Sequence, residues 1–358
     1  MKEKQFIIIA GVIAGITAVS LVLLGNPANM GFCIACFVRD ITGALGFHRA
    51  GVVQYIRPEI IGLVLGAFIS ALGFREFKAS GGSSTVLRFL LGAAMMMGAL
   101  VFLGCPWRLL LRIAGGDLTA LIAIPGYIIG IWIGVLFLKK GYTLGAAAEQ
   151  PSLNSYTGPF LSILLLALLV FAPAFIFFSE EGPGSMMAPL LVSLAAGLLI
   201  GFLAQRTRLC TMGAFRDILL FRDYHLFSGV AALFLAALIG NLLTGYFNPG
   251  LESQPVAHTA HLWNFLGIGI VGFAAVLAGG CPLRQLILSG EGNTDATATV
   301  LGMVFGAGIM HNFGWAGSPA GVETGGQIMV IGLWILLLLF AFLIVHGQAS
   351  AEAFRGKK

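Results

Sequence analysis

Two nine-residue stretches in this chain, far apart, carry the same pattern: Cys33-Ile-Ala-Cys-Phe-Val-Arg39-Asp40-Ile41 and Cys210-Thr-Met-Gly-Ala-Phe-Arg216-Asp217-Ile218. A second pair follows each. Gly104-Cys105-Pro106-Trp107-Arg108 lies 72 residues after the first cysteine, and Gly280-Cys281-Pro282-Leu283-Arg284 lies 71 after its counterpart. Both continue through a glycine-rich stretch, to Asp117-Leu-Thr-Ala and to Asp295-Ala-Thr-Ala. The chain therefore reads as an internal duplication, and each half must fold into the same unit, with thiol, arginine and carboxylate in apolar surroundings.

Those surroundings set the solvent. Charged residues make up 10% of the chain and hydrophobic ones 58%, whereas a soluble domain is about a quarter charged. Runs of about 20 apolar residues are the spanning unit of a bilayer. Ten candidates follow, at 5–25, 57–74, 86–104, 119–138, 159–178, 187–204, 225–246, 262–280, 296–312 and 326–346. The first follows Lys2 and Lys4 like a signal peptide, but it is long enough to span and lacks a small-residue cleavage site, so it reads as a retained helix. With the N-terminus in the cytoplasm, only Arg39, Arg49, Arg57, Arg108 and Arg112 of the 20 Lys and Arg fall outside. The positive-inside bias then places both termini in the cytoplasm of a bacterial inner membrane. The basic pI of 9.1 belongs to span flanks and is not a nucleic-acid signal. The 50 glycines fit closely packed or broken membrane helices.

The expected fold class is an all-α polytopic membrane protein of about ten spans, in two inverted repeats with re-entrant half-helices carrying the cysteine motifs. The first repeat occupies 1–140, a linker containing one span 141–185, the second repeat 186–315, and the last span with a basic cytoplasmic tail 316–358. An odd number of linking spans turns the second repeat over, an arrangement used by transporters with a midplane site. Segments 33–56, 105–118, 205–224 and 281–295 are too apolar for loops and too short to cross, which suits re-entrant helices lining a cavity.

In Gly-Cys-Pro-x-Arg, proline takes the first helical position and cysteine the N-cap, beside free N–H groups and the positive dipole end. Such an end binds anions and acidifies a thiol. Arg108 and Arg284, one turn on, add forked cationic donors. A thiol suits a sulfur or selenium atom better than a hard ion. The proposed substrate path is Cys33, Cys105, Cys210 and Cys281. Arg39, Asp40, Arg108, Asp117, Arg216, Asp217, Arg284 and Asp295 serve as anion-attracting or structural charge. One buried cysteine is usually packing; four at matching repeat positions, each near an arginine, are not. Cys36, whose counterpart is Gly213, and His311 are secondary candidates, and Arg49, Arg57, Arg75, Lys78 and Arg88 read as interfacial anchors. No zinc-type cysteine set, haem motif, nucleotide loop or catalytic triad is present, so neither metal, cofactor nor enzymatic activity is expected.

At these motifs the chain resembles the YeeE/YedE family of bacterial sulfur-compound transporters over essentially its whole length. The resemblance implies an hourglass-shaped inverted-repeat fold, with thiosulfate handed inward along successive thiols, here Cys33, Cys105, Cys210 and Cys281. The thiosulfate branch continues Gly-Gly-Cys into Thr-x-Gly-His-Gly, whereas both motifs here continue Pro-x-Arg, which is more similar to the YedE branch and implies a selenium species. The leading expectation is an inner-membrane permease for a selenium- or sulfur-containing ion or small molecule, whose partners are the lipid bilayer and a cytoplasmic sulfur- or selenium-carrier protein. Thiosulfate uptake by the same fold is one alternative. A membrane thiol oxidoreductase using Cys33 and Cys36 is another, and a soft-metal exporter a third.

Overall fold

A computed structural model describes residues 2–355, with side chains described from Glu3 to Gly347. In chain order the helices are α1 (Lys2–Leu23), α2 (Ile34–Ala44), α3 (Pro58–Gly73), α4 (Thr85–Phe102), α5 (Pro106–Ala114) and α6 (Leu118–Lys139). After these come α7 (Ser152–Ser155), α8 (Thr157–Phe171), α9 (Leu190–Thr207), α10 (Thr211–Phe221) and α11 (His225–Thr244). The last four are α12 (His261–Ala278), α13 (Pro282–Gly290), α14 (Thr294–Asn312) and α15 (Thr324–Arg355). Two-residue strands β1 (Ser80–Gly81) and β2 (Ala148–Glu149) pair antiparallel beside the core. The basic tail expected after the last span lies outside the residues whose side chains are described.

Among the described residues, seven helical stretches are long and apolar enough to cross a membrane. This is a polytopic helical membrane protein. The candidate spans at 57–74 and 159–178 form the shorter helices Pro58–Gly73 and Thr157–Phe171, and that at 296–312 forms α14, which carries Asp295 in its first turn.

The helices pair by a regular rule: α1 packs on α11 and α3 on α9; α6 packs on α12 and α4 on α14; α4 also packs on α12. Glycine makes these crossings possible. A Cβ at Gly66 would strike the Leu198 carbonyl, one at Gly201 the Leu63 carbonyl, and one at Gly130 the Gly269 carbonyl, so backbones meet with no side chain between them. This use of glycine explains much of its abundance in the chain.

Four short helices break this frame. α2 and α10 have 11 residues each and α5 and α13 have nine, which at 1.5 Å per residue is about 14–17 Å, half a hydrocarbon core. The breaks have local causes. α4 ends at Leu103 and α12 at Gly279, both left-handed (φ 59° and 81°), and Pro106 and Pro282 then open the next helix. α9 ends in the same way at left-handed Arg208 (φ 57°). Leu103 holds a conformation that costs a branched side chain roughly 1 kcal/mol or more and costs Gly279 nothing.

Candidate functional site

Each of the four motif cysteines sits at the N-cap of one of these short helices: Cys33 of α2, Cys105 of α5, Cys210 of α10 and Cys281 of α13. At α2 and α10 the thiol sulfur itself caps, accepting the Cys36 N–H at 3.4 Å and the Gly213 N–H at 3.3 Å. The Gly-Cys-Pro motifs leave their sulfurs free of that duty. The sulfurs come together in pairs within each half, Cys33 with Cys105 at 3.8 Å and Cys210 with Cys281 at 3.4 Å. All are free thiols, and none is more than 5% exposed. The two halves also meet through these helices, for α2 touches α13 and α5 touches α10. Four helix N-termini, each with unsatisfied N–H groups, therefore converge around two thiol pairs.

The charges differ more between the halves than the motifs suggest. Arg39 pairs with Asp40 (2.7 Å), Arg112 with Asp117 (2.6 Å), Arg216 with Asp217 (2.8 Å) and Arg284 with Glu291 (2.9 Å). Arg108 is different. It is fully buried and held only by neutral groups: its guanidinium donates to the carbonyls of Leu103, Asn29 (3.3 Å), Pro255 (3.2 Å) and Val256 (3.1 Å), with the Cys36 sulfur 3.7 Å away. Among the motif arginines of the described residues, Arg108 alone lacks a carboxylate, which makes it the cation best placed to favour an anion. Strained Leu103 is explained by this contact, since its carbonyl receives both Arg108 and the Cys36 thiol (3.9 Å).

Several sequence expectations change. Asp295 is not the counterpart of Asp117: the helix N-caps are Asp117 and Asn293, so the matching Asp-x-Thr-Ala strings are displaced by one two-residue step. Asp295 instead accepts from Ser83 and Gly82 and faces Arg88 at 3.4 Å, tying α14 to the loop before α4. Arg57 is no interfacial anchor; it is fully buried and bonds Asp40 at 2.8 Å. Arg88 is tied to the Ala278 carbonyl (3.0 Å) and the Ser83 backbone rather than to an interface. Cys36 is more than packing, through its contact with Arg108. His311, in the last turn of α14, has its ring 4.5 Å from that of His48. Sequence reasoning also missed Glu291, the partner of Arg284 and Arg208, since it falls where the first half has Gly115.

No group of three or more His, Cys, Asp and Glu able to hold a metal occurs among the described residues. Thiol pairs at convergent helix N-termini suit a polarisable anion with a soft atom: the thiols offer weak donors, and the N-termini and Arg108 offer positive potential.

Comparison with known proteins agrees with this chemistry. The family described as Sulphur transport matches residues 206–357. A thiosulfate transporter TsuA of Spirochaeta thermophila is 33% identical over 172 residues, covering 42% of this chain and 52% of that protein. A thiosulfate transporter TsuA of Escherichia coli is 30% identical over 107 residues, 30% of each chain. The chain thus spans about half the length of the first relative and less of the second. Both relatives bear a sulfur substrate in their names, and selenium, expected from the Pro-x-Arg continuation, gains no support from them.

Proposed function

From the premise that the chain belongs to the YeeE/YedE family of sulfur-compound transporters, we propose that it is an inner-membrane permease for a small sulfur oxyanion of the thiosulfate class, passed along Cys33, Cys105, Cys210 and Cys281. The observation that carries this reading is the pairing of the four thiols, 3.8 Å and 3.4 Å apart, at buried helix N-termini beside a cation with no carboxylate. Thiosulfate has a charged terminal sulfur that accepts weak S–H hydrogen bonds, and oxygens that accept stronger ones. Neutral thiols perform the hand-off, because a thiolate would repel the anion strongly in so dry a site. Each pair presents two sulfurs to one guest, so the ion exchanges one soft partner for another without meeting bare hydrocarbon.

The ten-span inverted repeat belongs to the same proposal, with repeats at 1–140 and 186–315 joined by the span in 141–185 and both termini cytoplasmic. The packing supports it: exchanging α1 with α9, α3 with α11, α4 with α12 and α6 with α14 converts the α1–α11 pair into α3–α9 and the α6–α12 pair into α4–α14, and leaves α4 on α12. Under that exchange α2 becomes α10 and α5 becomes α13, so the short helices read as re-entrant arms entering from opposite faces. Arg108 then lies on the outer approach, and Arg284, neutralised by Glu291, on the inner one. A charge gradient of that sign favours capture outside and release inside.

The test is uptake of radiolabelled thiosulfate into liposomes containing the purified protein. Cys105→Ser and Cys281→Ser should each lower uptake at least tenfold, with unchanged elution on size exclusion. Wild-type uptake from both single variants would remove the relay. Uptake of labelled selenite but not thiosulfate would reassign the substrate and leave the path.

A further inference from the structure

We infer that the hydroxyls of Tyr127 and Thr211 form a subsite between the two thiol pairs that binds the oxygen atoms of the passing oxyanion. This rests on the transport reading above and names what recognises the hard end of the substrate.

Both side chains are 1% exposed, and neither hydroxyl oxygen makes a hydrogen bond of normal geometry, although the two hydroxyls adjoin each other and Thr211 adjoins the Cys281 thiol. Buried hydroxyls are almost always paired, so two orphans in one place mark a position kept for a ligand. Their location is specific. Tyr127 is on α6, which packs against α5, capped by Cys105, and against α10, capped by Cys210. Tyr127 adjoins Thr211 and lies in the neighbourhood of Cys281, Cys210 and Cys105, so members of both thiol pairs surround it. Thr211 directly follows Cys210 and adjoins Cys281. The Tyr127 ring is fixed edge-on to Phe215 at 5.8 Å, itself edge-on to Phe227 at 5.8 Å. Pro125 lies two residues before Tyr127 in α6 and removes the backbone donor that would pair with the Leu121 carbonyl.

The duplication gives an independent argument. With helix N-caps Asp117 and Asn293 in register, the position of Tyr127 in the second half is Met303, and the position of Thr211 in the first half is Ile34. Both are buried and apolar. A scaffold repeating itself has no packing need for hydroxyls on one side only, so the asymmetry is chemical. Thiols are weak donors suited to sulfur, and hydroxyls strong donors suited to oxygen. A guest carrying both kinds of atom is held at both ends; a bare sulfur anion is held at one.

Tyr127→Phe and Thr211→Val keep the shape and remove the hydroxyl. In liposomes each should raise the KM for labelled thiosulfate about tenfold with little change in maximal rate, and Thr211→Ser should restore it. The second readout is melting temperature in detergent. Removing an unpartnered buried hydroxyl should leave the unliganded melting point unchanged or higher, while the rise produced by thiosulfate shrinks. A lower unliganded melting point would mark the hydroxyls as structural and overturn the subsite. So would a wild-type KM in both variants while wild-type protein transports thiosulfate, and the relay would stand. Absence of thiosulfate transport and of thiosulfate-induced stabilisation in wild type would overturn both readings.

Discussion

Asp40 and Asp217 occupy matching places in the two halves, yet substituting each by asparagine should have very different consequences. Asp40 is 0% exposed and neutralises two guanidiniums: one oxygen accepts from Arg39 Nε (2.9 Å) and Nη2 (2.7 Å), the other from Arg57 Nε (2.8 Å). Arg57 spends its remaining donors on the carbonyls of Met186 (2.8 Å) and Pro183 (2.6 Å) and lies over the Phe37 ring at 4.3 Å. In Asp40→Asn two buried cations lose their countercharge, and the new amide N–H groups point at donors. Removing one partner of a buried pair costs roughly 3–5 kcal/mol. Arg216 and Asp217 are 29% and 15% exposed and form a single pair, worth about 0–1 kcal/mol. Unfolding entropy of about 2.1 cal/mol/K per residue over 358 residues makes each kcal/mol about 1.3 °C. Thermal melting in mild detergent should therefore fall about 4–7 °C for Asp40→Asn and about 1 °C or less for Asp217→Asn. Equal shifts, or an Asp40→Asn protein melting with wild type, would refute the view that the first Arg-Asp pair is the structural keystone of α2.

Arg108→Gln should raise the thiosulfate KM at least tenfold, whereas Arg284→Gln, which removes a cation already matched by Glu291, should alter it less than threefold; initial rates in liposomes give both. Gly66→Leu should prevent α3 from closing on α9, because the side chain would enter the Leu198 backbone; loss of the monodisperse peak on size exclusion is the expected result. Hydrogen bonds from Gln205 (2.7 Å) and then Arg206 (2.9 Å) hold the Glu76 carboxyl below its ordinary range. Since the folded state lowers this pKa, its stabilisation is full above the ordinary carboxylate range and is lost as pH falls through the folded value. Wild type should out-melt Glu76→Gln at about pH 7, and the gap should close as pH falls through the folded carboxyl's lowered range.

The sequence made the Gly-Cys-Pro motifs legible because Pro106 and Pro282 announce a helix start and place the preceding residue at its N-cap, where Cys105 and Cys281 are found. Glycine abundance likewise announced the close crossings at Gly66, Gly130 and Gly201. Ion pairing was less legible. Short-range partners such as Arg39 and Asp40 are adjacent in sequence, but Arg57 with Asp40 and Arg88 with Asp295 are set by how the chain folds back. The Asp117 and Asp295 strings misled because identity at three of four positions outweighed a two-residue shift that only the helix N-caps at Asp117 and Asn293 reveal. Tyr127 and Thr211 gave a faint signal, a tyrosine after a mid-span proline and a threonine beside a motif cysteine. Their significance is that they lack partners, and no linear reading shows a missing hydrogen bond.

Transport by this path requires thiols that touch the cargo. Purified protein should therefore be alkylated with a small maleimide in the presence and absence of thiosulfate, with modification of Cys105 and Cys281 followed by mass spectrometry. Thiosulfate should slow modification of both residues, and uptake should fall in step with the fraction alkylated. Labelling that ignores thiosulfate, or full uptake by protein alkylated at both cysteines, would contradict it.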